Sequence, residues 1–176
     1  MIAGTDPVAF RRYRATDYSP VAALWTRINR ALAPVGMEEL FERYIATTID
    51  GELRQLLEVF SEAKRNAFWV VEDGNEIVGS FGIESHGVGD TELRRMYLDE
   101  SYRGKGIAQR MLDHAQAEAR ALGFTRMILS TAQIQKSAVS FYRKSGFQHI
   151  RTEVADAMNP KQAGGGLTRF YYEKAL

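Results

Sequence analysis

The stretch that decides the fold of this chain is a short glycine loop, Arg103-Gly104-Lys105-Gly106-Ile107-Ala108. The residues before it, from about 92 to 98, are predicted to form a strand. The residues after it, to about 122, predict an amphipathic helix, because apolar side chains recur at helical spacing. That stripe consists of Ile107, Met111, Leu112, Ala115, Ala119 and Leu122. A glycine loop that joins a strand to a helix is a common place for a ligand-binding turn.

The same loop has the chemistry of a phosphate cradle. Gly104 and Gly106 carry no Cβ, so the backbone can approach a ligand closely. The first turn of the following helix has amides without partners and the positive end of the helix dipole. Arg103 and Lys105 add two cations. The spacing fits neither a Walker A loop nor a dinucleotide fingerprint, so a plain glycine turn into a helix stays open at this point.

Outward from the loop, strands and helices predict an α/β fold with a mixed sheet. The predicted strands cover residues 10–14, 68–72, 76–84, 92–98, 126–131, 147–153 and 168–173. The predicted helices cover residues 16–30, 107–122 and 137–144, with two more within 37–65 that break near Asp50-Gly51. Asp73-Gly74-Asn75 is typical of a hairpin turn between two strands.

Length and composition narrow the class of protein. The chain has 176 residues, the size of one domain, so we expect a single domain over residues 1–176. The net charge of +1 gives no electrostatic reason to expect a nucleic acid or a membrane as partner. No cysteine is present, which excludes thiolate chemistry, and the three histidines lack the spacing of a metal set. Without a signal sequence or a long apolar run, we expect a cytoplasmic protein that holds no metal.

Several charged and glycine-rich segments have only general interpretations. The mixed charges of residues 37–65, Glu52 among them, are typical of solvated helix faces. Arg94-Arg95 is interpreted as a solvated strand edge. The segment 159–166 ends in three glycines and predicts a loop, either a mobile lid beside a site or a plain hairpin connection.

Two motifs together resemble those of the GNAT acetyltransferase superfamily. Arg103-x-x-Gly106-x-Ala108 resembles its acyl-CoA signature, and the segment from Ala138 to Phe147 resembles its Ala-x-x-x-Tyr-x-Lys-x-Gly-Phe helix and turn. The resemblance covers residues 67–153 well, the first strand and helix loosely, and residues 31–66 hardly at all. It implies a mixed, mostly antiparallel sheet flanked by helices and splayed at the acyl-CoA site.

The resemblance also implies where acetyl-CoA binds. The pyrophosphate would lie on the backbone amides of the loop, Arg103, Gly104, Lys105, Gly106, Ile107 and Ala108. The pantetheine arm would pair with the preceding strand at Met96, Tyr97 and Leu98, where an amide would hold the acyl oxygen. Gln135 stands where relatives often have an asparagine that contacts the arm or caps the last helix, and glutamine caps a helix poorly.

Two residues are candidates for proton transfer under the same resemblance. Tyr142 matches a tyrosine near the CoA sulfur, where its hydroxyl would protonate the departing thiolate. Glu92 stands where several relatives carry a glutamate that acts as the base toward the acceptor amine. Glu84 and Asp90 are close in sequence and remain alternatives for that base.

The resemblance therefore implies an N-acetyltransferase that moves an acetyl group from acetyl-CoA directly to a primary amine. A catalytically weak acyl-CoA-binding sensor or partner module is the alternative. The acceptor is either a small-molecule amine or the amine of a protein or peptide, and residues 31–66 and 154–167 would decide which. Members of the family are often dimers, so a homodimer is among the expected states.

Overall fold

The structure is a computed structural model that describes residues 8–176. The strands are β1 (Ala9–Arg12), β2 (Ala67–Asp73), β3 (Glu76–Ser85), β4 (Asp90–Leu98), β5 (Arg126–Ala132), β6 (Gln148–Ala155) and β7 (Leu167–Ala175). The α-helices are α1 (Tyr18–Leu32), α2 (Glu38–Thr48), α3 (Leu56–Val59), α4 (Ile107–Ala121) and α5 (Lys136–Lys144). No helix in residues 8–176 combines the length and the hydropathy that a membrane crossing requires.

The strands form one seven-stranded sheet in the order β1-β2-β3-β4-β5-β7-β6. β4 and β5 run parallel, and every other neighbouring pair in this sheet is antiparallel. The predicted mixed sheet is therefore confirmed, with strand boundaries within a few residues of the predicted ones.

The parallel strands β4 and β5 pair only near their starts. Residues 90–92 of β4 bond to residues 126–128 of β5, and the pairing stops there. Beyond this point β4 is bonded only to β3, and β5 only to β7. The strands thus separate toward their carboxyl ends and leave an opening between residues 93–98 and 129–132, which we call the splay.

The two faces of the sheet bury two separate apolar clusters. Because successive side chains of a strand point to opposite faces, Trp69 packs in the cluster of α4, with Met111, whereas Phe68 packs in the cluster of α1, with Trp25. A third, smaller cluster joins α2 to the β6–β7 loop (residues 156–166) through Phe41, Tyr44 and Ala163. The splay opens between these layers.

The middle of β4 contains a β-bulge. Arg94 pairs with Gly82 and Tyr97 with Ser80, so that Arg95 and Met96 together face one residue of β3. Arg95 has φ 50°, in the left-handed region that a side chain enters at a cost of roughly 1–2 kcal/mol. The bulge interrupts the hydrogen-bond ladder beside the splay.

The break predicted near Asp50-Gly51 is confirmed. α2 ends at Thr48 and a π-helical turn, Ile49–Leu53, follows it. This turn buries the side chains of Glu52 and Leu53. The second predicted helix is reduced to the single turn of α3.

Candidate active site

The glycine loop forms an open cradle at the start of α4. Gly104 has φ 73° and Gly106 has φ 78°, and a Cβ at either position would meet no atom within 4 Å. Gly106 is the residue that precedes α4, and no side chain caps the helix there. Within the described residues the first amides of α4 therefore have no side-chain cap, which suits a phosphate group.

The side chains of the loop point to different surroundings. Arg103 donates from Nε to the Leu98 carbonyl oxygen at 3.1 Å, which ties the loop to the end of β4. The Lys105 ammonium lies 5.3 Å from the centre of the Tyr102 ring. Ile107 is buried in the core, with Ala108 packed against it. A ligand in the cradle would therefore contact the backbone of Ile107 and Ala108 and not their side chains.

A cavity of about 110 Å³ occupies the splay. Met96 and Tyr97 line it from β4, whereas the Leu98 side chain is buried in the core. Within residues 8–176, no strand pairs with the edge of β4 that faces the splay over residues 93–98. An extended ligand can pair with such an edge as an added strand would. The cradle, the open edge and the bulge fit the phosphates, arm and acyl oxygen of an acyl-CoA.

Tyr142 reaches the cavity from α5. Its side chain is 8% exposed, and its ring meets that of Phe147 edge-on at 5.7 Å between ring centres. Burial raises the pKa of Tyr142 above that of a free phenol. The hydroxyl is therefore protonated at neutral pH and able to donate.

Glu92 reaches the same cavity from β4, where it is 7% exposed. Its carboxylate forms an ion pair with the Lys161 ammonium of the β6–β7 loop. The two alternative bases lie elsewhere: Glu84 pairs with Arg94, and Asp90 pairs with Arg126 at 2.5 Å. Of the three carboxylates, Glu92 alone lines the cavity.

Three charged residues interpreted as solvated are buried, so that interpretation was wrong. Arg94, Arg95 and Glu52 are each no more than 9% exposed. The bulge turns both arginines to the face of α1 and α2, where Glu52 accepts a hydrogen bond from Arg94 at 3.0 Å and pairs with Arg95. Arg95 also donates to the Tyr44 hydroxyl at 3.0 Å. Burial raises the pKa of Glu52, but the charges of the two arginines outweigh it, so the net pKa lies below the ordinary value.

Gln135 sits at the end of the splay, just before α5. Its side-chain oxygen accepts hydrogen bonds from the Thr131 hydroxyl at 2.7 Å and from the Ala132 amide at 3.1 Å. It makes no side-chain cap to α5, as expected for glutamine. Its side-chain NH2 group remains the part able to contact a ligand in the cavity.

Sequence reasoning missed Tyr44, Lys161 and Arg169 as cavity residues. Lys161 and Arg169 flank the glycines of the β6–β7 loop, in the region that the resemblance covers poorly. The available signal was a lysine shortly before the three glycines and an arginine shortly after them, in the next strand. The loop itself is packed: a Cβ on Gly165 would lie 2.4 Å from the Leu40 side chain of α2.

The fold combines a mixed seven-stranded sheet, two parallel strands that diverge, and a glycine cradle between β4 and α4. The sequence model of the acetyltransferase (GNAT) family matches residues 37–147 of this chain. The chain therefore belongs to the GNAT acetyltransferase family, as its two motifs indicated.

Individual relatives agree with that placement. The chain is similar to the uncharacterized N-acetyltransferase YjgM of Escherichia coli (strain K12), with 37% identity over 59% of this chain and 64% of that protein. It is 32% identical to the IAA acetyltransferase of Azospirillum brasilense over 65% of this chain and 76% of that one. Its fold is similar to that of PaiA N-acetyltransferase from Thermoplasma acidophilum in complex with coenzyme A. The TM-score there is 0.75, with 21% identity, over 96% of this chain and 99% of the other.

Proposed function

We propose that the protein transfers an acetyl group from acetyl-CoA directly to a primary amine. The observation that carries this proposal is the arrangement of the splay, where Glu92 and Tyr142 line one cavity beside the open edge of β4. Bound acetyl-CoA would supply an acetyl group activated as a thioester. With no cysteine in the chain, a cysteinyl acyl-enzyme is excluded, which favours direct attack by the amine.

The backbone of the chain would do most of the binding. The amides of residues 103–108 would hold the pyrophosphate, and the open edge of β4 would pair with the pantetheine arm. The bulge at Arg95 and Met96 interrupts the ladder, so an amide there can turn toward the acyl oxygen and stabilise negative charge on it.

Glu92 would accept the proton that an alkylammonium must lose before it can attack. The ion pair with Lys161 supports this role, because the lysine ammonium is the same chemical group as the proposed acceptor. Tyr142 would donate its proton to the departing thiolate. A phenol is protonated at neutral pH, as a donor must be, while burial raises the pKa of Tyr142 and so makes the proton harder to release.

The test is acetyl-CoA turnover against a panel of primary amines, followed as release of free thiol and as the mass of the acetylated product. Glu92→Gln should lower kcat by about 10²-fold or more at neutral pH. The loss should shrink toward about pH 9.5, where more of the amine is already deprotonated. Asp90→Asn is the matched control, since its carboxylate lies outside the cavity, and it should leave kcat unchanged.

The alternative is a CoA-binding module with little transferase activity. The Lys161–Glu92 ion pair also supports this alternative, because it keeps the proposed base occupied. The two functions differ in turnover: thiol release without any acetylated amine, or no thiol release at all despite tight acetyl-CoA binding, favours the module.

A further inference from the structure

The cavity contains one buried cation that nothing in the described residues neutralises. Arg169 lies at the start of β7, is 8% exposed and lines the cavity. Its Nη2 donates to the Ser130 hydroxyl at 2.8 Å, the one hydrogen bond that its guanidinium makes within residues 8–176. No carboxylate oxygen of these residues lies within 4.0 Å of it.

The other charges around the cavity are matched. Arg94 and Arg95 are held by Glu52 and Glu84, and Lys161 is held by Glu92. The strand neighbour of Arg169 on β6, Glu153, is instead paired with Arg151 at 3.4 Å. The positive charge left over around the cavity is therefore that of Arg169.

A buried arginine without a counter-ion is unfavourable unless an anion joins it. A guanidinium has five N–H donors in a planar fork that matches a carboxylate, and most of them are free here. The Arg169 side chain is thus a candidate anion-binding group in the cavity wall.

The position of Arg169 separates this site from the phosphate cradle. The next residue, Phe170, packs in the cluster of α4, the helix that starts at the cradle. Alternation along β7 turns Arg169 to the opposite face, as it does Leu167, which packs beside Phe41 and Tyr44 of α2. Arg169 therefore faces the α2 side of the cavity, away from the phosphates of a bound CoA.

We propose that the acceptor is a small primary amine that carries its own carboxylate, which Arg169 binds. The inference rests on the proposed function and names its substrate class. Apolar side chains line the same cavity, so the acceptor is also expected to have an apolar body; these are Leu32, Phe41, Ile134 and Leu167. An α-amino acid with an apolar side chain has all three features.

The first test compares amines that differ only in the carboxylate. Phenylalanine and 2-phenylethylamine form one pair, and leucine and 3-methylbutylamine form another. In the wild-type protein kcat/KM should favour the carboxylate member by about tenfold or more. Arg169→Gln keeps a donor for Ser130 but removes the charge, and it should abolish the preference while acetyl-CoA affinity stays unchanged. Arg120→Gln, which changes an exposed arginine in the last turn of α4 that lies outside the cavity, should keep the preference.

A second measurement does not depend on turnover. With CoA present, phenylacetate should raise the Tm of the wild-type protein and phenylacetamide, its neutral counterpart, should not. Arg169→Gln should respond to neither compound. Equal shifts for the two compounds in the wild-type protein would overturn the anion site. A shift for phenylacetate alone, with no amine acetylated, would keep the anion site and remove the proposed acetyl transfer.

A third measurement separates a binding role from a structural one. If the role of Arg169 is to bind a ligand, its unpaired buried charge does not stabilise the free protein. Without ligand, Arg169→Met should then have a Tm no lower than that of the wild-type protein. A Tm several degrees lower would show that Arg169 stabilises the fold through Ser130, and would contradict the proposal.

Discussion

Glu92 and Tyr142 approach one cavity from β4 and from α5, and their surroundings suit opposite tasks. The Glu92 carboxylate already holds an alkylammonium, that of Lys161, and can accept a proton from such a group. The Tyr142 ring lies between those of Phe141 and Phe147, where burial raises its pKa further above neutral pH, so its hydroxyl is protonated. At the scale of single residues, the site thus contains one group able to take a proton and one able to give it.

Replacing Tyr142 with phenylalanine tests the donor directly. Tyr142→Phe should lower kcat by about 10²-fold or more while the Kd for acetyl-CoA stays within about twofold, because the phenol acts on the leaving group and the backbone does the binding. Turnover and calorimetry measure the two quantities.

Tyr172→Phe is the control for that change. Tyr172 is also fully buried, but its hydroxyl has no partner within the described residues and the side chain does not line the cavity. Its loss should leave kcat unchanged and should not destabilise the fold. Equal kcat for Tyr142→Phe and the wild-type protein would remove Tyr142 as the proton donor.

Some site residues could be predicted from sequence and others could not. Tyr142 and Gly106 stand in short local motifs whose setting is fixed by a few neighbouring residues. Glu52 meets Arg95 across 43 positions, and Lys161 meets Glu92 across 69. Such pairs depend on how distant elements dock, so a charged residue that looks solvated in its own segment can be buried in the fold.

At the scale of elements, the turn from β4 into α4 sets the proposed phosphate contacts. Gly106 has φ 78° and open space around its Cα, so a side chain there would occupy the cradle rather than collide with the protein. Replacing it therefore affects binding more than folding, apart from roughly 1–2 kcal/mol of backbone strain.

Gly106→Val should abolish acetyl-CoA binding in calorimetry while the protein stays folded by circular dichroism. Gly36→Val is the matched control, because Gly36 also has a positive φ, 88°, with open space, in the turn before α2. It carries the same backbone strain and should bind acetyl-CoA with unchanged Kd. Intact binding by Gly106→Val would contradict the cradle.

The three glycines of the β6–β7 loop allow a similar comparison on the acceptor side. A Cβ on Gly165 would meet Leu40 at 2.4 Å and Met37 at 2.9 Å, so Gly165→Ala should push the loop away from α2. We expect it to raise the KM of the acceptor several-fold and to leave the Kd for acetyl-CoA unchanged.

Gly166→Ala carries the same backbone strain, because Gly166 also has a positive φ of 77°, but its Cβ would meet no atom within 4 Å. It should therefore change neither the KM of the acceptor nor the Kd for acetyl-CoA. Steady-state kinetics, with the acceptor and acetyl-CoA varied in turn, measures the effect of each variant on both substrates. If Gly165→Ala alters the two constants equally, the loop has no special relation to the acceptor.

Helices and strands were predicted best where the local sequence pattern is strong. Strand β4, the glycine loop and helix α4 were placed within two residues, because alternation, glycines and a long apolar stripe agree there. The helices of residues 37–65 were placed less well. Their connection is a π-helical turn that buries Glu52 and Leu53 together, and no regular periodicity describes such a turn.

At the scale of the whole molecule, a buried ion cluster joins the turn after α2 to the middle of β4. Glu52 holds both Arg94 and Arg95, and Arg95 also reaches the Pro160 carbonyl of the β6–β7 loop. Three separate parts of the chain thus meet behind the cavity. This cluster also explains how Arg95 persists with a left-handed backbone, since several contacts fix its side chain.

Removing the shared carboxylate should be costly. Glu52→Gln should lower the free energy of unfolding at pH 7 by about 3 kcal/mol, because it removes the negative charge that two buried arginines share. The pKa of Glu52 is lowered in the fold, so its contribution is present above the ordinary value of 4.5 and is lost as pH falls below it. The difference from the wild-type protein should therefore shrink as the pH is lowered below about 4.5, as urea unfolding at each pH would measure.

Glu42→Gln provides the comparison for that variant. Glu42 pairs with Arg30 at 2.6 Å, but both side chains are at least half exposed, so the pair is screened by water. Its stability at pH 7 should match that of the wild-type protein. A Glu52→Gln variant as stable as Glu42→Gln would show that the cluster adds nothing to the fold.

The most direct test of the central claim is isothermal calorimetry of the wild-type protein with acetyl-CoA, with CoA and ATP as comparison ligands. The splay and the cradle predict one acetyl-CoA per chain with a Kd on the order of micromolar, and no heat from ATP. An absence of binding to both acetyl-CoA and CoA would contradict the transferase and the CoA-binding module together.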